Sequence, residues 1–424
     1  MFNLWEQLAK IMIKELVAQN VRLHILPPAW SGSLYYWFYW SLVAVYAPFL
    51  NVYLREIGLS GVQIGVLVSL LPLMSLVAAP ILSAWADRHQ RRKFLLTAAF
   101  VCWGIVLLFY RLPTLFAGFF VLMAFEAFVR SSTTPVGDSL ISRMVERHQL
   151  DFGRVRLWGS LGFGLTTIAM GIVWDRTGFT PMFFAAALMV LPMLYFTGQL
   201  EEETAAAENP VQESPAQERP PLRQLLQDRG LLTLILVALL VGAALIVTFL
   251  FAGIYMVNLG GNQTYVGLLF GLSALAEVPV MLRQSHITRR LGAPQTLLLS
   301  IVIISVAIGG HAAAWSPLVL VISSIIRGFG YGLFTVGLIQ LVNLRTPLAW
   351  SSTGLALTSA SMVGLAPLLT SILSGYIYDS WGGRTLFAVV MSWAIMGALV
   401  MLLAIKKRWF APIQTEELVR LRDE

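Results

Sequence analysis

Charge is what this sequence has least of. Only 12% of its 424 residues are Asp, Glu, Lys or Arg, about half the fraction usual in a water-soluble domain. With 57% hydrophobic residues, too little polar surface remains to cover a water-facing globule of this length. A soluble single core is excluded, and a lipid bilayer becomes the expected solvent. Cysteine is nearly absent: Cys102 stands alone in an apolar run, so an intrachain disulfide and a thiolate metal cluster are both ruled out. The five histidines show no His-x-x-x-His spacing, and the chain has neither a glycine-rich phosphate loop nor a nucleophile elbow. An enzyme and a nucleotide-driven pump are disfavoured on these grounds, and no cofactor or metal is expected.

What the chain does have is long apolar runs. A run of about 20 residues crosses the ~30 Å hydrocarbon core as a helix. Twelve qualify, near 32–54, 61–83, 93–111, 115–137, 154–174, 179–197, 230–257, 264–283, 294–313, 316–341, 350–377 and 384–405. They are continuous rather than alternating, which excludes a β-barrel. The net charge of +7 does not imply nucleic acid, because the basic residues sit in short clusters between spans. With the N-terminus inside, 23 of the 29 basic residues fall on the cytoplasmic side and four on the other, Arg55, Arg111, Arg176 and Arg384. Arg130 and Arg327 lie within spans. That asymmetry supports both the count and cytoplasmic termini in a cell membrane.

Residues 199–229 are rich in Glu, Pro, Ala and Gln without apolar periodicity, and read as a solvated cytoplasmic linker. The linker divides the chain into six-span halves at 31–198 and 230–405, followed by a tail at 406–424. Residues 1–30 carry no cleavable signal pattern. Leu4, Trp5, Leu8, Ile11, Met12 and Leu16 recur at helical spacing there, which fits an amphipathic surface helix or an extension. The expected fold is an all-α membrane protein of 12 transmembrane helices in two pseudo-symmetric six-helix bundles.

The loop after span two reads Ser83-Ala84-Trp85-Ala86-Asp87-Arg88-His89-Gln90-Arg91-Arg92-Lys93. It resembles the hallmark Gly-x-x-x-Asp-Arg-x-Gly-Arg-Arg of the major facilitator superfamily, with Ser83 and Gln90 in place of its glycines. Asp87, Arg88, Arg91 and Arg92 are the gating residues this implies. Related patterns run from Gly171 to Gly178, around Asp175, and from Gly375 to Gly382, around Asp379, after spans five and eleven. A worn copy of the first stands at Arg289-Arg290-Leu291-Gly292. Asp151-Phe152-Gly153-Arg154-Val155-Arg156-Leu157-Trp158-Gly159 looks like the signature of the lactose-permease-like, phenylpropionate-permease-like and nucleoside–proton symporter branch. Tyr46-Ala47-Pro48-Phe49, Ala276-Glu277-Val278 and Gly328-Phe329-Gly330-Tyr331-Gly332 agree with it. Arg327 departs from the histidine expected there, so a substrate cannot be carried over. The resemblance implies a secondary transporter with spans one, four, seven and ten lining its cavity.

A charge near the bilayer centre costs at least ~2.5 kcal/mol and needs a reason. At ~1.5 Å per residue, Glu126 lies about 17 Å into span four with Arg130 one turn deeper, Glu277 about 20 Å into span eight and Arg327 about 17 Å into span ten. Two readings stand side by side. The four form neutral packing pairs, or they couple protons, with Glu277 at the position that resembles the branch's coupling acid. Asp138 and Arg156 match the acid–arginine pair of sugar-transporting members, as a substrate site or as a clamp of span four to span five. Phe163 replaces a stacking tryptophan there. Tyr39 and Tyr46, seven apart on one helical face, are candidates to stack on a ring-bearing solute, while their neighbours from Tyr35 to Trp40 read mostly as interfacial belt residues. The partners expected are a small organic solute, protons and the bilayer, with the chain acting as a monomer. Proton symport is the leading expectation. Efflux antiport and a non-transporting membrane sensor or lipid-handling protein are the alternatives.

Overall fold

The computed structural model describes residues 26–113, 115–202, 227–346 and 350–410. Most of the 1–30 segment, most of the 199–229 linker and the end of the tail lie outside the described residues, so the expectations for them are not met by any geometry here. Among the described residues there are helices and no strands. Eleven helical stretches are long and apolar enough to cross a membrane, and the last, Thr353–Lys406, runs 54 residues. At ~1.5 Å per residue that is about 80 Å, enough for two crossings. It breaks at Gly382 (φ 75°, ψ 176°), a left-handed conformation that only glycine takes without strain. The expected count of twelve spans is recovered.

In the first half the spans are Pro28–Glu56, Gly61–Arg88 and Arg92–Phe109, then a fourth in two pieces, Phe116–Arg130 and Thr133–Arg147. Phe152–Thr177 is the fifth, and Met182–Leu188 with Val190–Gln199 the sixth. The second half has Arg229–Asn258, Gln263–Leu291, Ala293–Ala312 and Pro317–Arg345. Its eleventh span starts as Ser351–Ser359, passes through one π-helical stretch, Ala360–Leu365, and continues into Ala366–Lys406.

The halves repeat each other at their turns. Span five ends at Gly178 (φ 67°, ψ −175°), nearly the conformation of Gly382, and each glycine stands three residues after an aspartate, Asp175 or Asp379. Spans two and eight both start on a side-chain cap. Ser60 accepts from the Gln63 N–H at 3.1 Å, and Asn262 accepts from the Tyr265 N–H at 3.1 Å. Such caps satisfy amides the first turn leaves unpaired.

Two of the helix seams that join the halves rest on paired small residues. Gly61 and Gly65 of span two press on the backbone of Gly375 and Ser371 of span eleven. Gly171 of span five meets Gly267 of span eight so closely that a Cβ on either would lie 2.8–2.9 Å from the other's Cα. Small residues allow this approach in a bilayer, where packing rather than hydrophobicity drives association. Polar bonds across the halves gather at the same end, away from the basic clusters. Asp379 pairs with Arg55 at 3.0 Å and accepts the Val62 N–H at 3.3 Å. Asp175 accepts from Asn262 at 2.9 Å and Thr264 at 3.0 Å, and Gln263 donates to Glu56 at 3.3 Å. At the basic end three ion-paired groups stay within a half. Asp87 pairs with Arg92, Glu201 with Arg147 and His148, and Asp228 with Arg345. The molecule is thus latched at the basic-poor end.

Replacing Gly171 with valine is expected to force this latch apart. Labels on Arg176→Cys and Tyr265→Cys, read by electron-spin distance measurement, should move to longer separations. An unchanged distribution would contradict the steric role given to the glycine seam.

Candidate translocation site

Four membrane-embedded charges and their neighbours form two groups. The first lies inside the N-terminal half. Glu126 and Arg130 are one turn apart, and their side chains meet at 3.4 Å as the i, i+4 spacing allows. The carboxylate is 5% exposed. It accepts from the Tyr46 hydroxyl of span one at 2.6 Å and from the Tyr110 hydroxyl at the end of span three. Arg130 donates to the Tyr46 hydroxyl at 3.0 Å and lies 4.7 Å over the Trp103 ring, a cation–π contact that supplements the ion pair. The helix breaks immediately afterwards at Ser131 and Ser132, where the Thr133 hydroxyl donates back to the Arg130 carbonyl at 2.7 Å. Hydroxyl back-bonding of this kind bends helices. Tyr39 closes the group, its hydroxyl bonded to Thr134 at 2.8 Å and Thr133 at 3.2 Å.

Tyr39 and Tyr46 therefore share a face, as their spacing predicts, but that face is turned into span four. Both are buried, and so are Tyr35 and Tyr36. The belt reading of these tyrosines is corrected here: their hydroxyls lie in the protein interior, because span one is packed on most sides. A small cleft does bring Tyr39 and Asp138 together, with Tyr35, Tyr36, Trp40, Thr133 and Thr134.

The second group lies between the halves. Asp138 accepts from the Tyr36 hydroxyl at 2.6 Å, so the acid ties span four to span one rather than to span five. Arg156 sits 5.8 Å over the Tyr36 ring and is exposed, although it is within electrostatic reach of Tyr331 and Glu277 in the other half. Arg156 thus meets solvent while lying within electrostatic reach of the second half. Phe163 meets Trp40 edge-on at 6.2 Å, and Trp40 in turn rests on Gly159, where a Cβ would clash with the indole.

Glu277 lies within electrostatic reach of Arg327 and Arg156. Span ten can approach it because Gly328 and Gly332 carry no side chain: a Cβ on Gly332 would lie 3.1 Å from the Glu277 carbonyl. Arg327 donates to the Ser273 hydroxyl at 2.9 Å, and its buried Nε has no protein partner. Among the described residues neither Arg327 with Glu277 nor Arg156 with Asp138 is drawn to ion-pair distance. Behind Arg327 lies His311, fully buried, with Nδ1 2.8 Å from the Ala307 carbonyl and Nε2 3.1 Å from the Ser324 hydroxyl. A carbonyl only accepts, so Nδ1 holds the proton and Nε2 accepts from Ser324. His311, Tyr110, Trp103 and Ser273 were not singled out by sequence, and Tyr36 and Tyr331 were given no role at the site. Each is an ordinary residue in an apolar run, and only packing gives it a partner.

The loop motif is a surface feature. Asp87 and Arg92 pair at 2.5 Å, and Arg88 and Arg91 are exposed. Gln90, standing where the hallmark has glycine, is left-handed (φ 51°), while Gly292 holds the corresponding turn in the second half (φ 87°).

A helical bundle with paired charges at mid-depth, an interior solvent-reaching arginine and a latch at one end is the architecture of a membrane transporter. The chain belongs to the MFS_1 like family, whose model matches residues 29–389. It is 30% identical to the maltose permease of Geobacillus stearothermophilus over 376 residues, 88% of this chain and 94% of that protein. It is 24% identical to the raffinose permease of Escherichia coli over 387 residues, 85% and 88% of the two chains. In fold it is similar to the nucleoside transporter NupG, with a TM-score of 0.76 at 17% identity, covering 89% of this chain and 99% of that one. The chain is a multi-pass transporter of the major facilitator type and not an enzyme.

Two outcomes test the packing. Glu126→Gln leaves the Arg130 guanidinium uncompensated and is expected to destabilise the protein by about 3–5 kcal/mol. Thermal unfolding in detergent should show most of that loss recovered in the double variant E126Q/R130M. Gln90→Gly relieves the left-handed strain and should raise stability by roughly 0.5–1 kcal/mol, the gain being net of the added chain entropy.

Proposed function

We infer that the protein is a proton-coupled symporter of a small organic solute, of the sugar, nucleoside or aromatic acid class, working by alternating access. The observation that carries this reading is the placement of Glu277. Its carboxylate is within electrostatic reach of an arginine from each half, Arg327 and Arg156, and among the described residues is ion-paired to neither. A carboxylate whose cationic neighbours belong to two moving bodies changes its surroundings when those bodies rock, and so gains and releases a proton with the cycle. Glu126 is the poorer coupling candidate: Tyr46, Tyr110 and Arg130 already saturate it within one half. The maltose and raffinose permeases among the relatives support the sugar end of the class, and NupG the nucleoside end.

The remaining assignments follow from this reading. The basic end is cytoplasmic, consistent with the distribution of Lys and Arg, and both termini lie there. The bundles are 31–198 and 230–405, each rocking as a unit about the glycine seams, and one chain suffices. Asp87, Arg88, Arg91 and Arg92 act at the inner gate. Asp138, Arg156 and Phe163 line the solute path, with Tyr39 and Tyr46 supporting its wall from behind.

Reconstitution into liposomes tests the coupling. Solute uptake driven by an imposed proton gradient should be lost in Glu277→Gln, while exchange of labelled for unlabelled solute persists. Gradient-driven accumulation at the wild-type rate in E277Q would remove Glu277 from the mechanism.

A further inference from the structure

We propose that the solute is an organic monoanion, held by Arg156 and Arg327 while Glu277 carries the proton. This rests on the symport reading and narrows its substrate class to sugar acids or aromatic acids rather than neutral sugars or nucleosides.

Charge balance at the seam leads there. Four ionisable side chains form a chain of electrostatic neighbours across the seam: Asp138 of span four with Arg156 of span five, Arg156 with Glu277 of span eight, and Glu277 with Arg327 of span ten. Tyr331 of span ten also faces them and is neutral, as is His311 of span nine, whose two nitrogens are held by Ala307 and Ser324. Glu126 and Arg130 balance each other elsewhere. With Glu277 ionised the four sum to zero. With Glu277 protonated they leave one positive charge, and two features say where it sits. Asp138 has its carboxylate engaged by Tyr36. Among the described residues Arg327 has only the Ser273 hydroxyl as donor target, with Nε–H buried and unpaired. A planar guanidinium with a spare donor is suited to a carboxylate.

The same balance gives a reason for tight coupling. When the cavity closes, its charges lose water, and an uncompensated charge becomes costly. The empty carrier with Glu277 ionised is neutral, and so is the carrier holding one proton and one monoanion. Either half-loaded carrier is charged and is held back. A neutral solute would leave the loaded carrier positive at the moment of closure.

Solid-supported membrane currents and pH-driven uptake in proteoliposomes distinguish the two cases. Four probes suffice: glucuronate and 3-phenylpropionate as monoanions, maltose and uridine as neutral solutes. At least one anion should be taken up with a pH gradient, carry no net current and be insensitive to membrane potential. Arg327→Gln should weaken binding of that anion more than tenfold by thermal shift, with Arg327→Lys recovering part of it. Current-generating, proton-driven uptake of maltose or uridine without uptake of either anion would overturn the monoanion assignment and leave symport intact. Uptake of any probe that ignores the pH gradient would overturn symport itself. Failure of both anions to bind the wild-type protein also sinks the proposal.

Discussion

A guanidinium or carboxylate at the middle of a bilayer has no water to turn to, so what the helices bring to each one decides whether it is held fast or left open. Glu126 is met by Tyr46, Tyr110 and Arg130 from three spans, and Arg130 adds the face of Trp103. That cluster lies within one half and makes it a stiff body. The charges between the halves are held differently. Arg156, Glu277 and Arg327 stand within reach of one another across the seam without closing into ion pairs. A fully satisfied network fixes a structure, whereas an incompletely satisfied one leaves free energy for a ligand or a proton to claim.

The seams decide how the two bodies can move. Backbone contact at Gly61 with Gly375 and at Gly171 with Gly267 brings the spans together at one end. Asp175 and Asp379, each three residues before a left-handed glycine, then cross the seam to donors on the opposite half. At the other end the ion pairs of Asp87, Glu201 and Asp228 each stay inside one half. The interrupted fourth span and the π-helical stretch of the eleventh supply bends within the bodies at the depth of the site.

Much of this was legible in the chain. Twelve spans follow from run length, with only the Gly382 break hidden inside one long helical stretch, and Gly-three-after-Asp marked both outer turns. The pairing of Glu126 with Arg130 follows from helix geometry alone, since both are on one span. Asp138 and Arg156 show where such reasoning stops. Eighteen residues of spacing put both near one level, yet the partner of Asp138 is Tyr36, 102 residues away. Likewise, the tyrosines of span one looked like belt residues because periodicity records a face and not what covers it.

The sequence by itself determined the solvent, the number of crossings and which positions carry charge inside the membrane, because those depend only on local hydrophobicity and helical rise. The tertiary structure alone decided which charges are neutralised within a half and which face each other across the seam. It also decided that His311 is a satisfied interior residue and that Arg327 keeps an unpaired donor. Those outcomes depend on how spans far apart in the chain pack, and packing in a bilayer is set by the fit of small residues such as Gly328 and Gly332, whose partners no local pattern names.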